Sequence, residues 1–402
     1  MRSVYQVLGF DVLSKAFLGF AGVALIRFMQ PAEYARLTYG LAVVAFAAQA
    51  LAFAFNRTYV VSQVRITRIR IEGMISAQVL LVLVFAVVLA PAIRVLGALY
   101  VPVVALVLAS ALTDFTKTMY QRDQLFMRLS LVELGRSVLY VSVLAALFLV
   151  NRMWLQARWV LSAQIVCMGA VIVGSWRVER RPAPRLSVHR GVGVLREMGT
   201  GASRFLLLYF LLLSLFGQLE TLLLGRLSTS LALASYGAAS RYYGLLSLAL
   251  GAVHTVLLPV VHEARQEGTL DHVLREQRRM SLVVVPLLIF AGGVAGWALP
   301  MIDGGKYPAS VMAFRVLVAS AAFSFILSPY SNVLISALRY PLLCGLVLIS
   351  TIVGGTVSIL TIPHYGAIGA AFGQTGGFFV LNLLTYWAAR KEMRSIPEQP
   401  AA

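Results

Sequence analysis

Residues 177–201 read RVERRPAPRLSVHRGVGVLREMGTG, the longest break in an otherwise apolar chain. About six hydrophobic segments of spanning length lie on either side of it. Its arginines, Arg177, Arg180, Arg181, Arg185, Arg190 and Arg196, outnumber Glu179 and Glu197. Such a run is retained on the cytoplasmic face of a membrane. Pro182 and Pro184 break any helix that enters it. Ser187 can then cap a short helix whose Val188, Val192 and Leu195 share a face while Arg190 and Arg196 do not. That pattern predicts an interfacial helix on anionic lipid. The run divides the chain into an N-terminal lobe (1–176), a basic linker (177–201) and a C-terminal lobe with its tail (202–402).

Composition agrees with a membrane setting. Of 402 residues, 59% are hydrophobic and 12% charged, against about 25% charged in a typical soluble domain. Val4 to Met29 is long enough to span and has no small-residue cleavage site after a short apolar core, so it reads as a first helix and not as a signal peptide. The net charge of +18 is scattered through short inter-helix loops. Topology accounts for it, and no nucleic-acid partner is indicated. Cys167 and Cys344 sit inside apolar runs, which points to neither a disulfide nor a metal cluster.

A span needs about 20 apolar residues. About twelve segments qualify: 4–29, 35–56, 75–96, 101–120, 131–150, 155–176, 203–225, 233–259, 280–300, 309–336, 341–362 and 366–388. The sequence therefore predicts an all-α polytopic membrane protein, with two six-helix lobes around a central cavity. With the amino terminus inside, the cytoplasmic side collects Arg57, Arg65, Arg68 and Arg70, then Lys117, Arg122, Arg128 and Arg136, the central run, Arg265, Arg275, Arg278 and Arg279, and finally Arg339, Arg390, Lys391 and Arg394. The opposite face offers only Arg27, Arg36, Arg94, Arg152, Arg158, Arg226 and Lys306. Both termini are expected in the cytoplasm.

External loops such as Asp303 to Pro308 and Pro363 to Gly366 leave no room for an extracytoplasmic catalytic domain. A weak repeat relates Tyr39-Gly40 and the run to Arg57-Thr58 with Tyr236-Gly237 and the run to His254-Thr255. Two halves that both begin in the cytoplasm are related by an axis along the membrane normal, an arrangement suited to transport by rocking halves.

Particular stretches carry a family resemblance. LSKAFLGFAGVALIRFMQPAEYARLTYGLAV (13–43), ETLLLGRLSTSLALASYGAASRYYGLLSLALGAVHTVLLPVV (220–261) with a helix-ending Pro259, GGKYPAS (304–310), SNVLISALRYP (331–341) and IPHYGAIGAAFGQTGG (362–377) follow one another in family order. Together they resemble the polysaccharide flippases, the Wzx-like branch of the multidrug/oligosaccharidyl-lipid/polysaccharide exporter superfamily. Ala35 departs from the family's usual Gly after PAEY. The resemblance implies a two-lobed flippase of the bacterial cytoplasmic membrane. It would carry a polyprenyl pyrophosphate-linked oligosaccharide to the outer leaflet in surface polysaccharide biosynthesis, such as that of O-antigen or exopolysaccharide. It also implies a polysaccharide polymerase or glycosyltransferase as partner, and a central cleft faced by helices one, two, eight and ten.

An ionisable group at membrane depth costs about 2.5 to 3.5 kcal/mol on insertion scales and needs a partner, a wet cavity or an interface. Asp11 and Lys15, four residues apart, either neutralise each other or line a cavity mouth, with Lys15 available to a phosphate. Glu220 and Arg241 flank the turn near Ser228 to Leu231 at similar depth. They form either a structural ion pair or a gating one that frees Arg241 for pyrophosphate. Arg57 ends the second helix and Arg315 lies one to two turns inside the tenth, where it can snorkel. Lys15, Arg241, Arg57 and Arg315 are the candidate substrate contacts, and Asp11 and Glu220 the candidate ion-pair or gating acids.

Pro286 and Pro329 predict kinks. The glycines at 292–293, 354–355, 366–369 and 373–377 predict close helix contacts. His189, His254, His262, His272 and His364 show no metal-binding spacing and no phosphate loop is present, so neither an enzyme site nor a cofactor is indicated. A cation-coupled multidrug exporter of the same superfamily is the alternative function, and it calls for a buried carboxylate in an apolar lobe.

Overall fold

The structure, a computed structural model, describes residues 2–53, 56, 67–92, 96–150, 155–179, 184–200, 203–267, 270–337 and 339–394. Its long elements are all helices: α1 (Arg2–Phe28), α2 (Pro31–Ala48), α3 (Arg68–Leu89), α4 (Tyr100–Arg122), α5 (Phe126–Val150), α6 (Ala157–Val178) and the short α7 (Val188–Gly199). There follow α8 (Ser203–Leu227), α9 (Ser230–Glu267), α10 (Leu270–Asp303), α11 (Pro308–Ser336), α12 (Tyr340–Tyr365) and α13 (Ala367–Arg394). Ten described helices are long and apolar enough to cross a membrane. Helices α1 and α9, of 27 and 38 residues, cover the other two expected segments. The chain is an all-helical, multi-pass membrane protein.

Two compact units divide it, Met1–Ser214 and Leu215–Ala402, with the boundary inside α8. In the first unit α1 packs on α5, α2 and α6 on α4, and α7 on α3. Met74, Ile75, Phe115 and Met119 form one of its buried clusters, against which Trp176 and Val194 pack. In the second unit α13 lies against both α12 and α11, while α9 and α10 pack on α11.

Three boundaries differ from the sequence reading. Helix α3 begins at Arg68, earlier than expected, because Glu72 on its first turns is only 4% exposed and is held by Arg68 at 3.1 Å and by Arg190. The charges that looked like loop anchors are thus ion-paired on a helix. Helix α9 runs past Pro259 to Glu267 and does not stop there. In membrane proteins, neighbouring groups take up the carbonyl that a proline leaves unpaired. Helix α10 starts at Leu270, so Arg275, Arg278 and Arg279 stand on a helical extension of a span.

The basic run folds as anticipated around Ser187, whose hydroxyl accepts from the Arg190 backbone N–H at 3.5 Å. Helix α7 presses closely on α3: a Cβ added at Gly191 would fall 3.0 Å from the Ala77 backbone nitrogen. Val188 and Val192 point outward, whereas Leu195 turns partly into the cluster of Ala77 and Met198.

Candidate functional site

In the first unit, α1 is fixed by Ser14. Its buried hydroxyl donates to the Glu133 carbonyl at 3.1 Å and lies 2.7 Å from the Ser137 hydroxyl on α5. With Ser14 turned inward, the adjacent Lys15 is exposed. The side chain of Asp11, expected to partner Lys15, lies outside the described residues, and so does Arg57.

Beside Ser14 stands a charge network that sequence reasoning missed. Glu133 lies 2.8 Å from Lys117 and also pairs with Arg136, while Lys117 lies 3.2 Å from Asp114. Lys117 and Arg136, which the charge bias assigns to the cytoplasmic side, stand on α4 and α5. The signal was present as two acid–base pairs three residues apart, Asp114 with Lys117 and Glu133 with Arg136, a spacing that brings side chains together on a helix. Two acids and two bases neutralise one another here, so the network can cross-link α4 and α5 without leaving a net buried charge.

In the second unit, Glu220 on α8 is 1% exposed, and neither carboxylate oxygen has a hydrogen-bond partner. Tyr236 on α9 is also buried and its hydroxyl donates to Gln374 Oε1 on α13 at 2.7 Å. Arg241 is half-buried on α9. It forms no ion pair with Glu220, so the expected pair is open in this structure. Glu220 lies seven residues before the end of α8 at Leu227 and Arg241 eleven after the start of α9 at Ser230. At 1.5 Å per residue the arginine sits about 6 Å farther from the turn.

Arg315 is exposed on α11, and its Nε donates to the Gly292 carbonyl of α10 at 3.0 Å. The guanidinium continues over Gly296, where an added Cβ would lie 2.9 Å from its Nη2. Gly292 and Gly296 are four residues apart and share a face, which leaves a shallow seat for this side chain. Arg315 is thereby anchored through one nitrogen, with its terminal amino groups over bare backbone. Arg241, Arg315 and Glu220 make no hydrogen bonds to one another, so the second unit presents them singly. Among the described residues no group of three or more His, Cys, Asp or Glu side chains could hold a metal ion.

What the arrangement offers chemically is cationic side chains within spanning helices, and these suit an anionic group that must enter hydrocarbon. Comparison with known proteins places the fold. The family described as polysaccharide biosynthesis protein matches residues 24–312. Among solved structures, the fold is similar to the lipid II flippase MurJ in an inward closed conformation. That likeness has a TM-score of 0.76 at 12% identity and covers 95% of this chain and 87% of that one. It is also similar to a multidrug resistance MATE family transporter of the MOP superfamily in an inward-facing conformation, with a TM-score of 0.65 at 14% identity, covering 96% of both chains. The Vibrio cholerae MATE transporter VcmN, in a mutant form, matches with a TM-score of 0.60 at 14% identity over 98% of this chain and 97% of its own. No curated protein sequence matches significantly.

Proposed function

The chain belongs to the polysaccharide biosynthesis protein family, and from that premise we propose that it is a flippase. Its substrate is a polyprenyl pyrophosphate-linked oligosaccharide, carried from the cytoplasmic to the outer leaflet by alternating access during surface polysaccharide biosynthesis. The family match carries this reading, because it ties a chain with a transporter-type fold to polysaccharide assembly. The likeness to a lipid II flippase supports the lipid-linked form of the cargo. The setting is a bacterial cytoplasmic membrane with both termini inside, and a polymerase or glycosyltransferase acts on the product or supplies the substrate.

A pyrophosphate cannot cross about 30 Å of hydrocarbon unshielded. Lys15, Arg241, Arg57 and Arg315 are the cations this reading assigns to it. Arg241 is the leading one, being half-buried, well inside α9 and unpaired with Glu220. Arg315 keeps its terminal amino groups for a phosphate while Nε holds to α10.

Complementation of a deletion strain tests the proposal. Restored surface glycan by the native chain, and its loss with Arg241→Ala at normal membrane levels, is the expected pattern. Normal glycan export by the doubly substituted Lys15→Ala, Arg241→Ala protein refutes the assigned contacts. An intact glycan coat in the deletion strain, combined with new drug sensitivity, refutes the flippase reading itself.

One observation favours a second reading, a cation-coupled exporter. Such a transporter calls for a buried carboxylate in an apolar lobe, and Glu220, without the arginine partner expected for it, meets that description. Dye export from cells carrying the native chain, abolished by Glu220→Gln, is the outcome that supports it.

A further inference from the structure

Helix α7 has two sides of different chemistry. One is spent on α3: Gly191 meets Ser76 and Ala77 at the backbone, Met198 joins Ala77 in a buried cluster, and Arg190 pairs with Glu72. The other is bare, with Val188 at 67% and Val192 at 52% exposure, and Leu186, just ahead of the cap, is 61% exposed. Counted at about 100° per residue from Val188, the packed Gly191, Met198 and Val194 fall about 60 to 120° to one side. On the other side come Val192 at about 40°, then Arg196 and His189 at about 80 to 100°. Arg185, Arg196 and His189 are all exposed. An apolar strip is therefore bordered by Arg196, with Arg185 just ahead of the cap, on a helix clamped to the first turns of a membrane span.

We propose that this outer face of α7 docks on an anionic lipid surface, with Val188 and Val192 entering the acyl boundary and Arg185 and Arg196 binding lipid phosphate. Charge selects the occupant. Arg190 is paired with Glu72 on the packed side, while Arg196 is exposed on the side of Val192 and Arg185 is exposed just ahead of the Ser187 cap. Apolar residues beside arginines at a membrane boundary gain both buried area and attraction to anionic headgroups. Because α7 grips α3 through Glu72, Ser76 and Ala77, the docked helix sets the depth at which α3 is held. The inference rests on the helix geometry and stands apart from the identity of the transported cargo.

The test uses the full chain in proteoliposomes, in a background with Cys167→Ala and Cys344→Ala. An environment-sensitive fluorophore is placed at Val192→Cys and, as control, at Gly193→Cys, which points about 140° round and has open space beyond its Cα. Brominated lipid is expected to quench the label at 192 at least about twofold more than that at 193, as for a face buried about 5 to 10 Å into the interface. Adding phosphatidylglycerol to phosphatidylcholine vesicles is expected to shift the 192 emission to the blue. Arg185→Gln with Arg196→Gln should remove that response, and the Lys versions should keep it, which separates charge from assembly. Equal quenching at the two positions overturns the docking. A shift independent of phosphatidylglycerol, or one reproduced by inorganic phosphate over neutral vesicles, overturns the recognition of an anionic lipid surface.

Discussion

A Cβ built on Gly373 would fall 1.8 Å from the Ser358 hydroxyl and 3.0 Å from the Gly354 carbonyl. Gly369, Gly373 and Gly377 recur every four residues on α13, and each comes against the backbone or small side chains of α12. The Thr361 hydroxyl, which donates to the Gly369 carbonyl at 2.9 Å, adds a polar tie to this seam. Contacts between small residues replace the hydrophobic drive that is missing between helices in lipid. Gly373→Ala should lower the melting temperature of the purified protein, by an overpacking cost of about 1 to 3 kcal/mol. Gly345→Ala, on the same pair of helices but with nothing within 4 Å of the added carbon, should be neutral. Equal melting of the two variants would show that the seam is not close-packed.

Glu33 gives a second prediction at a point where sequence and structure meet over a long separation. Helix α6 starts without a side-chain cap from Gln156. In its place Glu33 Oε2 accepts from the Ala157 backbone N–H at 2.9 Å, while Oε1 pairs with Arg36. A carboxylate at this position satisfies one orphan donor and meets the positive end of the helix dipole. Glu33→Ala should cost about 1 to 2 kcal/mol of stability, and Glu33→Gln less, since the acceptor survives. Thermal melts of the two variants in the same detergent check the order.

The sequence made the span count and the Ser187 cap legible because both follow from local patterns: long apolar runs, and a serine placed before an amphipathic turn. Glu33, by contrast, sits in a conspicuous PAEY, but nothing local says that its acceptor would reach Ala157. The pairing of Lys117 and Arg136 through Glu133 is hidden for a related reason. Hydropathy reads each charge as an anchor on its own, while Glu133 joins the two bases across α4 and α5. Pairing Glu220 with Arg241 rests on their similar distance from a turn, a depth argument that ignores which face each side chain takes.

Arg315 offers a third prediction, which separates anchoring from binding. Its Nε bond to the Gly292 carbonyl is a single hydrogen bond at an exposed side chain, and its removal should cost about 0.5 to 1.5 kcal/mol. Arg315→Lys keeps a positive charge but loses the planar fork that lies along the glycine seat. Both Arg315→Ala and Arg315→Lys should therefore melt slightly earlier than the native protein. If the residue also meets substrate phosphate, glycan export should fall in the Ala variant and be partly restored in the Lys variant. Export that follows stability alone would leave Arg315 as an anchor between α10 and α11.

The last prediction turns on Glu220, because the two functional readings require different things of it. Its carboxyl group is buried without a hydrogen-bond donor, an expensive condition for any charged form. Under the flippase reading, Glu220 acts as a gating partner that pairs with Arg241 in another state and releases it to the pyrophosphate in this one. Glu220→Gln keeps the shape but cannot form that ion pair. It should insert at normal levels, melt within about 1 kcal/mol of the native protein because no charge is left to bury, and export glycan poorly. The charge-exchanged double variant, Glu220→Arg with Arg241→Glu, should insert but not export, since the cation then leaves the position assigned to phosphate. Full export by Glu220→Gln removes the gate from the mechanism. Loss of dye efflux in that variant, with the glycan coat unaffected, instead moves the carboxyl group to cation coupling and the whole protein to the exporter reading.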